Sequence, residues 1–214
     1  MADCCDSRGC AEEFDAAFAE RMAARYRRRG LTRAERRLVD FLAAEGVRGA
    51  TVLEIGGGVG EIGLELLRRG AERCTTLELS SAYDEQAARL AADAGVTDRV
   101  RRRIVDLAAE PEAVERADLV VLHRVVCCYP DAGRLLSAAA GRCRRRLAFT
   151  HPSRDPASRL GSAVENALAG TRGIRYRSFL HAPSAMLRAL EEGGMRPVLP
   201  GRGWPWRVQG LVAA

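Results

Sequence analysis

The sequence has no lysine: all 34 basic residues are arginine, set against 28 acids, for a net charge of +6. Together with abundant alanine this reads as the coding bias of a GC-rich genome, so an arginine is not in itself a functional signal. The basic clusters at 25–37, 99–103 and 142–146 have little aromatic content for base stacking, in a chain with only 5 % aromatics. They read as solvated helix faces and strand starts, and nucleic acid is not expected as a partner. Long apolar runs are also missing; nothing approaches the roughly 18 residues that span a bilayer. The opening MADCCDSRGCAEEF has no apolar core of a secretory signal, so a cytoplasmic protein is expected. The seven cysteines are odd in number and suit a reducing compartment, which argues against a disulfide framework. Cys74 and Cys143 read as packing residues. Cys4, Cys5 and Cys10 follow a C-C-x4-C spacing that matches no standard zinc site; they read as a loosely packed tail or as a metal or metalloid clamp, and no bound metal is expected.

What is present is an alternation of periods. Residues 12–29 carry Phe14, Phe18, Met22 and Tyr26 every four positions, a helix ended by Gly30. Thr32 and Glu35 form a capping box for a second helix. From residue 50 short β-rich runs alternate with helices: TVLEI, TTLEL, VRRRIVD, ADLVVLH and RRLAFTH as strands, with helices at 61–70, 81–95 and 131–141 between them. That alternation predicts an α/β fold with a doubly wound, mostly parallel sheet. A proline-broken loop, a helix near 157–169, a strand-or-lid segment RYRSFL and a helix from Pro183 to about Glu192 follow. MRPVLP and WPWRVQGLVA close the chain as two neighbouring strands, which short connection allows only as an antiparallel pair. The expected organisation is a tail and helical cap over 1–45, then a seven-stranded domain over 46–214, with 152–183 as a possible lid.

LEIGGGVGEIG, residues 53–63, holds two overlapping glycine patterns. Gly58-x-Gly60-x-x-Gly63 has the dinucleotide form, but its first glycine comes too late after the strand and Gly63 falls inside the helix, where it is more simply a packing residue. Counting from Gly56 instead puts Glu61 where a small residue is needed. Glu54-x-Gly56-x-Gly58-x-Gly60 has neither fault: an acid at the strand end and glycines that let the backbone pass close to a compact ligand.

This stretch resembles the class I S-adenosylmethionine-dependent methyltransferases over residues 50–150. The resemblance implies a sulfonium cofactor beside Glu54, Gly56, Gly57, Gly58 and Gly60. It implies a ribose acid at Glu78, followed by Leu79, and an adenine contact at Asp106, with Leu107 lining the ring. Three acids at three successive strand ends and a terminal hairpin together carry it. Plainer roles exist for each acid: a helix cap for Glu54, an exposed strand-end charge for Glu78, an N-cap for Asp106.

Ligands of open α/β sheets lie beyond the carboxyl ends of the strands, where the fourth strand delivers HRVVCCYPD. Methyl transfer needs proximity, plus a base if the nucleophile arrives protonated. His123 is the first candidate for base or substrate orienter, and also lies close enough for cofactor contact. Tyr129 shapes the wall and can touch substrate or cofactor. Cys127 and Cys128 are either small packing residues or a soft thiolate pair for a thiophilic or metal-bearing substrate, and Cys128 joins His123 and Tyr129 as a catalytic candidate. His151 and Arg154 follow the fifth strand towards the same edge, and Arg177 and His181 fall in the lid segment. This region is also similar to magnesium-protoporphyrin O-methyltransferases, where a hydrophobic-His-Tyr run occupies the place of Cys127-Cys128-Tyr129. Cys128 stands where that histidine would be, so only the general class carries over. A methyltransferase acting on a small molecule, as a monomer or homodimer, is the leading expectation. RNA or protein methylation guided by the arginines, and a cofactor-binding protein without turnover, stand beside it.

Overall fold

The computed structural model of the chain describes residues 14–173 and 175–214. Helix α1 (Ala16–Arg29) begins where Asp15 accepts a hydrogen bond from the Phe18 amide, and Gly30 ends it at a φ of 64°. The residues 12 and 13 that the periodicity assigns to this helix lie outside the described residues, as do Cys4, Cys5 and Cys10. Helix α2 (Arg33–Ala43) carries the expected capping box of Thr32 and Glu35. Then come β1 (Thr51–Ile55), α3 (Glu61–Arg68), β2 (Arg73–Glu78), α4 (Asp84–Asp93), β3 (Val100–Ile104), β4 (Ala117–Leu122), α5 (Ala132–Gly141), β5 (Cys143–Pro152), α6 (Pro156–Thr171), α7 (Pro183–Glu192), β6 (Met195–Arg202) and β7 (Trp206–Ala213).

The seven strands lie in the order β3-β2-β1-β4-β5-β7-β6. The first five are parallel, and β7 runs antiparallel between β5 and β6. The predicted doubly wound sheet and terminal hairpin are thus both present. Helices cover both faces, which is why β4 reads ADLVVL with little alternation: Leu119 to Leu122 are fully buried. One core lies under α1, α2, α3 and α4; the other lies under α5 and α7 around Phe149. Residues 175–180, expected as a strand or lid, join no sheet. They are held instead by the Phe179 amide donating to the Cys127 carbonyl at 2.7 Å and by Asn166 bridging both backbone groups of Ser178.

Parallel pairing in register brings Ile55 beside both Leu77 and Leu122. The carboxyl ends of β1, β2 and β4 therefore open onto one edge, with β3 ending beside Glu78. That edge is where the strand-end acids converge.

Candidate active site

Leaving β1, the chain turns into α3 within five residues, and Gly56, Gly58 and Gly60 take φ values of 60°, 55° and 85°. At Gly56 a side chain is excluded twice: the φ is left-handed and a Cβ would stand 2.5 Å from Val125 Cγ2. At Gly57 a Cβ would meet Thr76 Cγ2 at 2.5 Å and the Glu54 side chain at 2.8 Å. Gly63 is a packing residue, since a Cβ there would press on Cys74 Sγ and Glu54 Oε2. The loop is held from below by Glu78, whose oxygens accept from the Gly58 amide at 2.5 Å and the Leu79 amide at 3.1 Å. Glu78 is thus a partly buried acceptor, not an exposed charge.

A cavity of about 660 Å³ opens over this loop, within the roughly 300–1,000 Å³ of small-molecule sites. Glu54, Gly56, Gly57, Gly58, Glu78, Leu79, Asp106, Leu107, His123, Cys128 and Tyr129 all line it. Gly60, expected among the cofactor contacts, does not: it occupies the N-cap position of α3, one turn past the ligand-facing bend. His151 and Arg154 do not reach the cavity either. His151 is a core residue, its Nδ1 bonded to its neighbour's carbonyl and its Nε2 near Gln209. His181 stands behind the wall, its Nε2 2.9 Å from the Tyr129 carbonyl, and Arg177 is likewise absent from the lining.

The acids differ in state. Glu54 is buried, and burial together with the neighbouring Glu61 carboxylate pushes it up to about 8; its Oε2 accepts a long hydrogen bond from the Gly63 amide at 3.3 Å. The helix-cap role is therefore real, and it satisfies only one of the carboxyl oxygens. Glu61 is pushed up to about 7 by burial and by Glu35. Burial also raises Glu78, against its amide donors. Carboxyls held in a low-dielectric wall with too little positive charge are the complement of a cationic ligand. Asp106 accepts from the Ala108 amide at 3.0 Å and from the Tyr129 hydroxyl at 3.0 and 3.1 Å. Its cap-like contact and its place in the cavity wall coexist, and Tyr129 is the side chain that orients it.

A network that no local pattern announces ties the helical cap to this edge. Arg25 of α1 donates to Glu35 of α2 at 3.2 Å and to Glu61 of α3 at 3.1 Å. Glu35 accepts from the Thr32 amide at 2.6 Å and stands 3.5 Å from His123 Nε2. Burial would raise Glu35, yet the His123 and Thr32 hydrogen bonds and Arg25 outweigh it and hold the carboxyl at about 2. Burial lowers His123 against the pull of Glu35, whose carboxylate faces Nε2. Its Nδ1 lies 3.0 Å from the Thr150 hydroxyl, which in turn accepts from the Arg124 amide. Both ring nitrogens are engaged by the protein. This geometry ties His123 to β5 and α2 while keeping it on the cavity wall.

The far side of the cavity is built from residues distant in sequence: Phe14, Phe18 and Met22 of the cap, Leu168 of α6, Tyr176 and Trp206. Phe14 packs edge-on against both Phe18 and Tyr176 at 5.3 Å. Arg124, a lining residue with a φ of 60°, lays its guanidinium 5.0 Å over the Trp206 ring. Cys127 and Cys128, both reduced, face the same space with their sulfurs 3.6 Å apart, and Cys128 Sγ is 3.2 Å from the Tyr176 hydroxyl. The basic clusters are largely consumed within the fold: Arg99 caps carbonyls of residues 67–72, Arg102 pairs with Asp84, Arg142 with Glu112 and Arg146 with Glu45. Among the described residues, no group of three or more His, Cys, Asp or Glu is arranged to hold a metal ion. No helix among them is long and apolar enough to cross a membrane.

The chain matches the family model described as a methyltransferase domain over residues 52–148, which runs from β1 through β5 and includes every strand-end acid named above. Residues 52–148 thus form a methyltransferase domain. Among solved structures, the magnesium protoporphyrin IX methyltransferase of Synechocystis PCC 6803 with bound SAH is similar at a TM-score of 0.75 and 19 % identity, over 98 % of this chain and 100 % of that one. The N-methyltransferase NodS of Bradyrhizobium japonicum WM9, also with SAH, is similar at 0.60 and 14 %, over 84 % and 85 %. An O-methyltransferase family 2 protein of Planctomyces limnophilus in complex with apigenin is similar at 0.65 and 17 %, over 93 % of this chain and 62 % of that one. No curated protein matches the sequence. The likeness of fold thus extends beyond the part that the family model covers, through the α6–α7 segment and the hairpin.

Proposed function

We propose that the methyltransferase domain transfers a methyl group from S-adenosylmethionine to a small-molecule acceptor held in the aromatic half of the cavity. The observation that carries this is the single cavity in which buried, under-neutralised carboxyls at the ends of β1 and β2 face a chamber walled by Phe14, Phe18, Tyr176 and Trp206. S-adenosylmethionine supplies the electrophilic methyl on a sulfonium, whose departure as a neutral thioether needs no acid. Glu54, with Glu61 behind it, gives up its proton to face the cationic end as that end arrives. Gly56, Gly57 and Gly58 admit the ligand close to the backbone, Glu78 accepts from the ribose with Leu79 beside it, and Asp106 and Leu107 frame the adenine, Asp106 steadied by Tyr129.

Residues 14–45 act as a cap and 152–183 as a cover over the acceptor. The protein's own work is then alignment and exclusion of water, with His123 fixing the β4 end that presents Arg124, Cys128 and Tyr129. Two of the similar structures are those of a porphyrin methyltransferase and of a complex with apigenin, and both molecules carry flat conjugated rings, which agrees with an aromatic chamber of this kind. Titration calorimetry with SAH and radiolabelled methyl transfer in a cell extract test the proposal together. Micromolar binding with label entering a low-molecular-weight product supports it. Binding without any labelled product reduces the protein to a cofactor-binding role; label in RNA or protein redirects the substrate class; absence of binding overturns it.

A further inference from the structure

The Cys127–Cys128 pair lies on the wall of the cavity, yet methyl transfer as proposed asks no chemistry of its sulfurs. Its sulfurs are 3.6 Å apart on consecutive residues of one turn, closed by the Cys128 amide donating to the Val125 carbonyl at 2.9 Å. That separation selects among soft centres. With a bond to sulfur of about 2.3 Å, a linear two-coordinate centre sets its sulfurs about 4.6 Å apart, whereas a tetrahedral or pyramidal one sets them at about 3.5–3.8 Å. A tetrahedral metal wants four ligands, and the described residues assemble no such group. A three-coordinate pyramidal centre needs two sulfurs and one further atom, and the open side of the pair faces the cavity and the Tyr176 hydroxyl.

We infer that Cys127 and Cys128 form a vicinal dithiol site for a trivalent arsenical. Capture replaces two As–O bonds by two As–S bonds: R–As(OH)2 and two thiols give R–As(S–Cys)2, and both thiol protons leave in two waters, with no change of oxidation state. The arsenic substituent projects into the acceptor chamber, and the Cys128–Tyr176 contact that ties residues 175–180 to the wall is exchanged for it. The Cys127 hydrogen bond, together with Tyr176 and Arg124, lowers the Cys128 thiol, so the first As–S bond forms at Cys128 and Cys127 closes the ring.

The probe is phenylarsine oxide, used on the full chain with Cys4, Cys5 and Cys10 replaced by serine so that the other adjacent pair does not compete. Intact-mass analysis should show one phenylarsenic per chain, with two thiols lost. A dithiol such as 2,3-dimercaptopropanol should reverse it, and a tenfold higher concentration of a monothiol should not. Cys128→Ser should reduce retention at least tenfold, and peptide mapping should place the adduct on residues 127 and 128. An adduct that persists in Cys128→Ser, or maps to Cys74 or Cys143, would overturn the site, as would no adduct on the folded chain. If Cys128→Ser does not fold, peptide mapping on the cysteine-bearing chain decides alone. SAH calorimetry on the same preparation reports the cofactor reading separately, so the two stand or fall independently.

Discussion

The two halves of the cavity are built by opposite rules. On the cofactor side, Glu54, the glycine bend, Glu78 and Asp106 sit at strand ends within a span of 53 residues, and backbone geometry does most of the positioning. On the acceptor side, Phe14, Tyr176 and Trp206 meet across most of the chain length, and side-chain packing does the positioning. Electrostatics follow the same division. The cofactor-side carboxyls are pushed up, Glu54 to about 8 and Glu61 to about 7, while Glu35, which faces the His123 link to the other side, is held at about 2. A half made of backbone is rigid and admits few added atoms; a half made of side chains can adapt, as the proposed acceptor side requires.

The largest expected effect breaks the rigid half. Gly57→Val forces a branched side chain against Thr76 and Glu54, and overpacking on the order of 3 kcal/mol should weaken SAH about a hundredfold by calorimetry; a change under threefold would show the bend to be soft. Next comes the joint between halves. His123→Ala should lower kcat roughly tenfold to a hundredfold while SAH affinity stays within about tenfold. The split sharpens with His123→Asn. If the ring is a link, an amide that both donates and accepts restores much of the rate and leaves the pH profile unchanged; if the ring is a base, His123→Asn is as slow as His123→Ala.

Arg25→Ala removes the side chain shared by Glu35 and Glu61. Leaving two buried acids without it should cost about 2 kcal/mol, or about 4–8 °C in Tm for a chain of this size, with the cap loosening first in hydrogen exchange; an unchanged melt would mean that the cap is held by its apolar face alone. The smallest of these is the pH effect. Glu54 and Glu61 have folded values above the ordinary 4.5, so folding takes up protons and their contribution is full below about pH 4.5 and lost as pH rises through about 7–8. Between pH 6.5 and 8.5 the ligand-free Tm should fall by about 4 °C, measured in a Cys128→Ser background because that lowered thiol acts in the opposite sense. S-adenosylmethionine should flatten the slope, and a melt that rises with pH would contradict the assigned states.

The same division explains what could be read in the sequence. The strand alternation, the capping box at Thr32 and the hairpin all follow from local period or turn chemistry, and so do Glu78 and the bend at Gly56. What stayed hidden depends on the third dimension. Glu35 looks complete as a helix cap, and nothing in RAERRLVDFLA shows that its carboxylate also meets Arg25 and His123. His123 looks isolated in LHRVV; only the fold brings Thr150 to one ring nitrogen and Glu35 to the other. Gly60 fits the motif by spacing, yet the rotation of the bend turns it towards α3. RYRSFL has the composition of a strand, but the sheet edge already belongs to β6, so it lies on the cavity wall instead.

Arg124 stands in the left-handed region, where a side chain costs about 1 kcal/mol relative to glycine. Arg124→Gly should therefore raise the melting temperature slightly while removing the cation above Trp206. A strained residue on a cavity wall is a marker of use: its guanidinium lies against Trp206 beside the chamber proposed for the acceptor, and there conformational ease is exchanged for a fixed positive charge.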